Sequence, residues 1–404
     1  MKANRLIILL ENSITLSRYS FGFSALDQCT EIILLYPEQD QEAVRPYLNH
    51  FSKSHPIEQA CDVIGIDEIS TLDFSYVSLI KYVKAILRNY DKKNVVLLSS
   101  FEFYILALAK LRHALSIPGI REKDLIAYRD KLMMHQQLLK KVRMPKTLIL
   151  DLTKHRSKPE VSFKHLLQKL GKSFVIKPTK GSSSVGVYQI KSYREYLRIL
   201  AKLDNDTTYI IQEFITGRLY HVDIGMKNAS IFFSAACRYT NGLLLSNKPS
   251  IIGSIPVMDS KIFALFIKES RLIIQALGTH DGFFHLEFFY NGSGRPIFLE
   301  CGYRPGGGYL SHQYEKMYGF NMYDVNLMLA ANPKTKQQQV FDTIYQLGFG
   351  AYLFPNKELN INFFETNSYF SIKKHKDFYE CLLWNKNKKA LLKDIKFLFL
   401  RNSS

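Results

Sequence analysis

The sequence predicts an α/β protein of more than one domain, and three observations carry that reading. Over residues 1–120, apolar runs of strand length (RLIILL, EIILLYP, NVVLLSS) alternate with longer helix-compatible stretches such as FEFYILALAKLRHAL. That alternation is the signature of a parallel sheet with crossover helices. Farther on, strand-like runs flank Gly- and Ser-containing breaks, as in an α+β unit. The chain has 404 residues, 47% hydrophobic and 22% charged, which is globular and long enough for two or three cores.

The elements follow in order. No GxGxxG comes after the first strand, so the dinucleotide fingerprint is absent. SIPGIREKD (116–124) carries Pro and Gly after a helix and reads as a domain joint. Residues 121–150 predict helices, then Met-Pro and a strand; residues 173–190 predict two strands about a Gly/Ser loop, the second beginning near Val185. Residues 208–226 predict a strand pair with Gly217 between IIQEFI and LYHVDIGM. A helix over 261–277 leads to a hairpin in HLEFFYNGSGRPIFLECGYRPGGG (285–308). Beyond about 345 the chain is rich in Phe and Lys and holds no interpretable motif, and no internal repeat is present.

The balance of 54 Lys and Arg against 36 Asp and Glu gives +18, a surface that attracts anions. The basic residues are scattered, without a Lys/Arg block interleaved with aromatics, so nucleic acid is not an expected partner. Cys29, Cys61, Cys237, Cys301 and Cys381 lie far apart and form no CxxC pair, which suits reduced thiols in a cytoplasm. The apolar run after Met1-Lys2 is LIILL, five residues ending at Glu11, too short for an export signal or a membrane span.

Three segments carry chemistry. In FVIKPTKGSSSVGVYQI (174–190), a strand bearing Lys177 enters a loop of Gly181, Ser182, Ser183 and Ser184 and then Val185. Small residues let backbone N–H groups approach a phosphate, although the same loop also reads as a plain hairpin turn. A strand, not a helix, follows, so this is neither a Walker A loop nor a Rossmann turn. In YIIQEFITGRLYHVDIGM (209–226), the break at Gln212-Glu213 offers backbone groups that could read a purine edge; an edge strand with a Gly turn is the alternative.

The hairpin is the most specific of the three. Alternation puts Glu287 with Phe283, His285 and Phe289 on one face, and Phe284, Leu286 and Phe288 on the other. With a four-residue loop Glu287 lies diagonal to Glu300, and with Arg295-Pro296 also in the loop it lies directly opposite. In either register the carboxylates share a face at roughly 5–7 Å. Their repulsion is about 2–3 kcal/mol at an effective dielectric near 20. A raised pKa, a neighbouring Arg such as Arg304, or a hard divalent cation would relieve it.

In this order, the segments resemble the ATP-grasp superfamily, well over 121–330 and more loosely over 1–120. The resemblance implies an N-terminal parallel-sheet α/β domain (1–120) and a two-part nucleotide-binding unit. Its small lobe would be 121–205 and its large lobe 206–345, followed by a C-terminal extension (346–404). It further implies that Lys131 (in YRDKLMM) and Lys177 meet ATP phosphates, under the Gly181–Val185 loop. Gln212, Glu213, Phe214 and Ile215 would form the adenine linker, with the backbone of Glu213 and Ile215 reading the base. Glu287 and Glu300 would hold Mg²⁺, with Mn²⁺ as the alternative ion, and Arg304 would bind the reacting acid or its acyl phosphate. Two positions depart from the family pattern. Gly302 stands where members commonly have an Asn that completes the metal shell. Leu219 stands where many have a ribose-binding Glu, and His221 is expected to take that contact.

Within the superfamily the stretch SSFEFYILALAKLRHALSIPGIREKDLIAYRDK resembles the carboxylate–amine ligases, including amino-acid and dipeptide ligases. That implies a carboxylate attacking the γ-phosphate of ATP, then an amine displacing phosphate from the acyl phosphate. Substrates would be ATP, a small carboxylate or amino acid, and an amine acceptor; a homodimer is compatible with this. His285 and His280 are candidates for a general base, and Cys301 reads as a small hydrophobe. A nucleotide-binding protein with little turnover, and a ligase acting on a protein, stay open as alternatives.

Overall fold

Each anticipated apolar run near the N-terminus becomes a strand of one parallel sheet. In the computed structural model, which describes residues 5–22, 30–57, 75–181, 184–240, 252–331, 348–354, 368–374 and 379–402, these are β1 (Arg5–Leu10), β2 (Thr30–Pro37), β3 (Lys53–Ile57) and β4 (Val95–Leu98), in the order β3-β2-β1-β4. Strand β3, KSHPI, has no apolar run to announce it. It lies on the sheet edge, where a proline and polar side chains are tolerated. Helices α1 (Tyr76–Leu87) and α2 (Ile105–Ala114) cover one face, against Leu6, Ile8 and Leu10. The other face, with Ile7 and Leu9, is buried as well, so β1 reads apolar at every position after Arg5.

The small lobe is an antiparallel sheet in the order β5-β8-β6-β7. Helix α3 (Lys131–Leu138) precedes it. The strands are β5 (Thr147–Ile149), β6 (Phe174–Pro178), β7 (Tyr188–Ile190) and β8 (Tyr209–Glu213), with α4 (Pro159–Leu170) and α5 (Tyr193–Lys202) packed on one face. Strand β7 begins three residues beyond Val185. Ser184 and Gly186 adopt left-handed φ of 58° and 70°, and the Val187 N–H closes a turn on the Ser184 carbonyl (3.3 Å).

The large lobe continues with β9 (Arg218–Lys227), β10 (Ser230–Tyr239), β11 (Ile252–Pro256), α6 (Ser260–Leu277), β12 (Gly282–Tyr290) and β13 (Ile297–Gly302). Then come α7 (Leu310–Tyr318), α8 (Met322–Ala331), β14 (Phe349–Phe354), β15 (Tyr369–Lys374), β16 (Tyr379–Asn385) and α9 (Lys388–Asn402). Its sheet runs β13-β12-β9-β10-β11-β14-β16-β15. Three sequence expectations change here. Strands β8 and β9 are not a pair: β8 bonds to β5 and β6, whereas β9 bonds to β10 and β12, so residues 214–217 link two sheets. The small-lobe sheet therefore extends to Glu213 and does not end at 205. The C-terminal region is no separate appendage, because β14, β16 and β15 extend the large-lobe sheet beyond β11.

Helix α8 joins the parts. Val325, Leu327 and Leu329 share a core with Ile7 and Leu9 of the parallel sheet, and with Phe233 and Ala235 of β10. The C-terminal ends of β1 and β4 lie near this joint, where Asn326 of α8 donates to the Ser100 hydroxyl (3.3 Å). They flank the point at which strand order reverses, where open α/β sheets carry their ligand crevices.

Glu11 sits at that point, fully buried, and accepts hydrogen bonds from the Ser100 N–H (2.6 Å), the Tyr19 hydroxyl (3.0 Å) and the Ser99 hydroxyl (3.3 Å). Burial outweighs these contacts and pushes its carboxyl up to about 8 from an ordinary 4.5. Between those values the folded chain keeps a proton that the unfolded chain has released, so this group's contribution to stability falls as pH rises from about 4.5 to 8. Glu11→Gln should remove that fall, leaving the variant more stable than the parent at pH 8 relative to pH 5 in urea unfolding. Parallel pH–stability curves would contradict the assignment.

Candidate active site

Helix α3 begins at Lys131 because the Asp130 side chain caps it, accepting the N–H groups of Leu132 (2.9 Å) and Met133 (3.1 Å). The Lys131 N–H lies in the first helical turn and has no partner within the helix; it donates instead to the Thr179 carbonyl (2.8 Å). The Lys131 ammonium donates to the Gly181 carbonyl (2.6 Å) and pairs with Glu300 (3.2 Å). The preceding Arg129 guanidinium donates to the Lys180 carbonyl (2.7 Å). Residues 129–131 thus hold three successive carbonyls at the base of the Gly/Ser loop. Gly181 is needed there, since a Cβ would come within 2.7 Å of the Pro178 ring. Ser182 and Ser183 lie outside the described residues; Ser184 and Val185 are exposed at the turn.

Lys177, buried in β6, faces the same cleft. Burial pulls its ammonium down to about 8, against the upward pull of Glu300 and with Lys131 adding to the depression. Across the cleft Glu287 pairs directly with Glu300, the second of the two registers, and a bulge after Glu287 restores the pairing as Phe288 with Phe298. The strands stop at Tyr290 and resume at Ile297, so the loop includes Arg295-Pro296, and beside it the register is one residue off, Phe289 with Ile297. Burial works against the Glu300 charge, yet Lys131 and Lys177 overcome it and hold this carboxyl below its usual range. Glu287 is buried and accepts the Tyr239 hydroxyl (3.1 Å), with a His285 nitrogen 3.8 Å away.

Arg304 does not neutralise the glutamate pair. Its Nε donates to Glu102 (2.7 Å) and its Nη1 to the Pro305 carbonyl (2.9 Å). The second oxygen of Glu102 is held by Arg129. Burial alone would push the Glu102 carboxyl up; Arg304, Arg129 and Lys131 together hold it well below the usual carboxylate range. Sequence reasoning missed Glu102 and Arg129. A signal existed for the first, four residues past the end of β4 at the reversal of strand order. None marks the second.

A small polar cavity lies among Glu102, Arg129, Lys131, His285, Glu300 and Arg304. A larger one, about 260 Å³, lies beside α6 and contains Arg271 as its one ionisable lining residue, without any of the carboxylates. The charged groups described above line the smaller cavity.

The adenine-linker expectation is narrowed. The Glu213 and Phe214 N–H groups are committed to the Lys146 (3.0 Å) and Ser173 (3.4 Å) carbonyls, so a purine edge would meet the Glu213 carbonyl and Ile215. The Gln212 amide is turned to Thr147 (2.8 Å). His221 is not brought to the cleft surface. It is fully buried, with one nitrogen 2.9 Å from Asp223 and the other 2.8 Å from the Ser254 hydroxyl, so no ribose can reach it. His221 pairs with Glu287 across the strands and so shares the glutamates' face, but Tyr239 and Ser254 cover it there; its partner Asp223 also binds His285 (2.8 Å) and Tyr314 (2.7 Å). His221, Asp223 and His285 bring donor atoms within 4.8 Å, but they satisfy one another by hydrogen bonds. His280 lies outside this group, near Tyr128 and Tyr303. Cys301 is a buried thiol whose ionisation burial opposes.

With hard oxygen donors facing each other and only a phenol and a distant imidazole on Glu287, the Glu287–Glu300 pair fits a divalent cation such as Mg²⁺. Residue 302 lies on the Glu300 face, and a Cβ there would rest 3.5 Å from Arg304, an ordinary contact.

Residues 128–246 match the ATP-grasp domain family. The chain is 28% identical over 171 residues to the L-arginine-specific L-amino acid ligase of Bacillus subtilis, covering 40% of this chain and 41% of that ligase. It is 26% identical over 181 residues to the D-alanine–D-alanine ligase of Petrotoga mobilis, covering 40% of this chain and 57% of that one. The chain thus matches about half of the length of these relatives. Among solved structures, an L-amino acid ligase from Bacillus licheniformis superposes with a TM-score of 0.71 at 14% identity, over 99% of this chain and 98% of that one. The N5-carboxyaminoimidazole synthetase of Staphylococcus aureus with ADP gives 0.68 at 14%, over 99% and 98%. These similarities establish the fold over the whole chain.

Gly302→Asn is expected to fold with stability within about 1 kcal/mol of the parent and to bind Mn²⁺ severalfold more tightly by EPR titration. Unchanged affinity would show that residue 302 does not face the ion.

Proposed function

We propose that this protein is an ATP-dependent carboxylate–amine ligase that forms an amide or peptide bond on an amino acid or similar small carboxylate. The observation that carries the reading is the direct opposition of Glu287 and Glu300, with Lys131 and Lys177 on one side and the Arg304–Glu102 pair on the other. The names of the relatives, amino-acid and D-alanine ligases, point the same way.

Glu287 and Glu300 would hold Mg²⁺, which when bound supplies charge neutralisation for the phosphoryl oxygens. Lys131 and Lys177 add positive charge at the phosphates, and Lys177 is well suited because burial leaves it little competing solvent. The loop from Gly181 to Gly186 would cover the phosphates and exclude water. The acid, held at Arg304, attacks the γ-phosphorus through a carboxylate oxygen, and the bond to the bridging oxygen breaks to release ADP. The amine then attacks the acyl carbon, phosphate leaves, and the nitrogen gives up its proton. Sparse, separated cysteines favour a reducing cytoplasm, and among the described residues no helix is long and apolar enough to cross a membrane. Gly302 motivates a second reading, nucleotide binding with little turnover.

An ADP-release screen over pairs of amino acids separates the two. Acid- and amine-dependent release is expected from the parent. Glu287→Gln and Arg304→Ala should lower it about a hundredfold or more, in line with loss of groups aimed at transition-state charge. Binding of ATP without acid-dependent release would favour the second reading, and full activity in both variants would overturn the site.

A further inference from the structure

Glu102 has no assigned role in the ligase reading, yet its two oxygens link Arg304, beyond β13, to Arg129, which holds the base of the Gly/Ser loop. One oxygen accepts from the Arg304 Nε (2.7 Å) and the other from Arg129. Arg129 passes the contact on, its Nη2 donating to the Lys180 carbonyl at the base of the Gly/Ser loop (2.7 Å). The side chains are enclosed, 1% exposed at Arg129, 14% at Glu102 and 19% at Arg304. Phe103, the next residue, lies against the Arg129 guanidinium (5.1 Å), so both ends of the Glu102–Arg129 pair are fixed by one short turn before α2.

We infer that Glu102 is a positioning residue that couples occupancy of the acid site at Arg304 to the phosphate loop. The inference rests on the ligase reading for the placement of the acid at Arg304. A substrate carboxylate arriving there competes with Glu102 for the same guanidinium. Whatever hold Arg304 gives up, Glu102 transfers to Arg129, and Arg129 must then share its donors differently between Glu102 and the Lys180 carbonyl. Lys131 grips the adjacent Thr179 and Gly181 carbonyls, so a shift at Lys180 acts on a segment otherwise clamped at both sides. Acid binding and nucleotide binding are therefore linked, and linkage is reciprocal.

The test measures affinity for Mg²⁺ with a β,γ-imido analogue of ATP, with and without an equimolar mixture of the protein L-amino acids. In the parent the mixture is expected to change the dissociation constant by about fivefold or more. In Glu102→Gln the factor should fall to near one. Glu102→Asp keeps the charge, and so guards against a variant that fails to fold. One methylene shorter, it cannot span both guanidinium groups, so it too should lose the linkage. Persistence of the parent's factor in either variant overturns the inference, as does a parent with acid-dependent ADP release but no linkage. Linkage without any acid-dependent ADP release supports the inference and sinks the ligase reading instead.

Discussion

The cleft depends on mutual neutralisation of buried charge. Glu102, Glu287 and Glu300 share it with Arg129, Lys131, Lys177 and Arg304, and isolated ions of this kind are costly to bury. Each pairing crosses an element boundary. Lys131 at the start of α3 meets Glu300 on β13, and Arg304 beyond β13 meets Glu102 of the N-terminal domain. The charges therefore specify how three parts of the chain come together, and any one part alone would expose an unbalanced site.

The distribution of this charge also accounts for the separate behaviours of the two lysines and the glutamates. Lys131 is partly exposed and paired, whereas Lys177 is enclosed in β6, where desolvation with its partners farther away draws its ammonium down to about 8. Glu287 has a phenol and no close lysine, while Glu300 has one, so the pair presents one weakly compensated carboxylate and one compensated one. That asymmetry suits a site built to gain a cation from outside the chain.

A second buried network, Ser254–His221–Asp223–His285, lies under the first. Asp223 is held well below the usual carboxylate range, burial opposing and His285 and His221 prevailing. The turn after Arg304 comes so close that a Cβ on Gly306 would lie 2.5 Å from an Asp223 oxygen. Gly306 is thus explained by packing on this network, and the network in turn supports the strand that carries Glu287.

Periodicity and spacing in the sequence were enough for the alternating N-terminal sheet, the two glutamates on one face, and Lys177 in a strand before the Gly/Ser loop; Lys131 was marked only by the family resemblance. These properties are local: an apolar run declares a strand wherever it packs, and period two puts residues 285 and 287 on one side whatever their neighbours. Tertiary structure alone decided the rest. Which hairpin register holds depended on a bulge after Glu287, and the membership of β8 and β9 in different sheets depended on distant partners. His221 does share the face of Glu287, but its burial is set by Tyr239 and Ser254 on other strands, which the sequence does not place beside it. Glu102 and Arg129 were unreadable as a pair because their link to Arg304 and Lys180 spans 202 and 51 residues of chain, respectively, and such contacts exist only after folding.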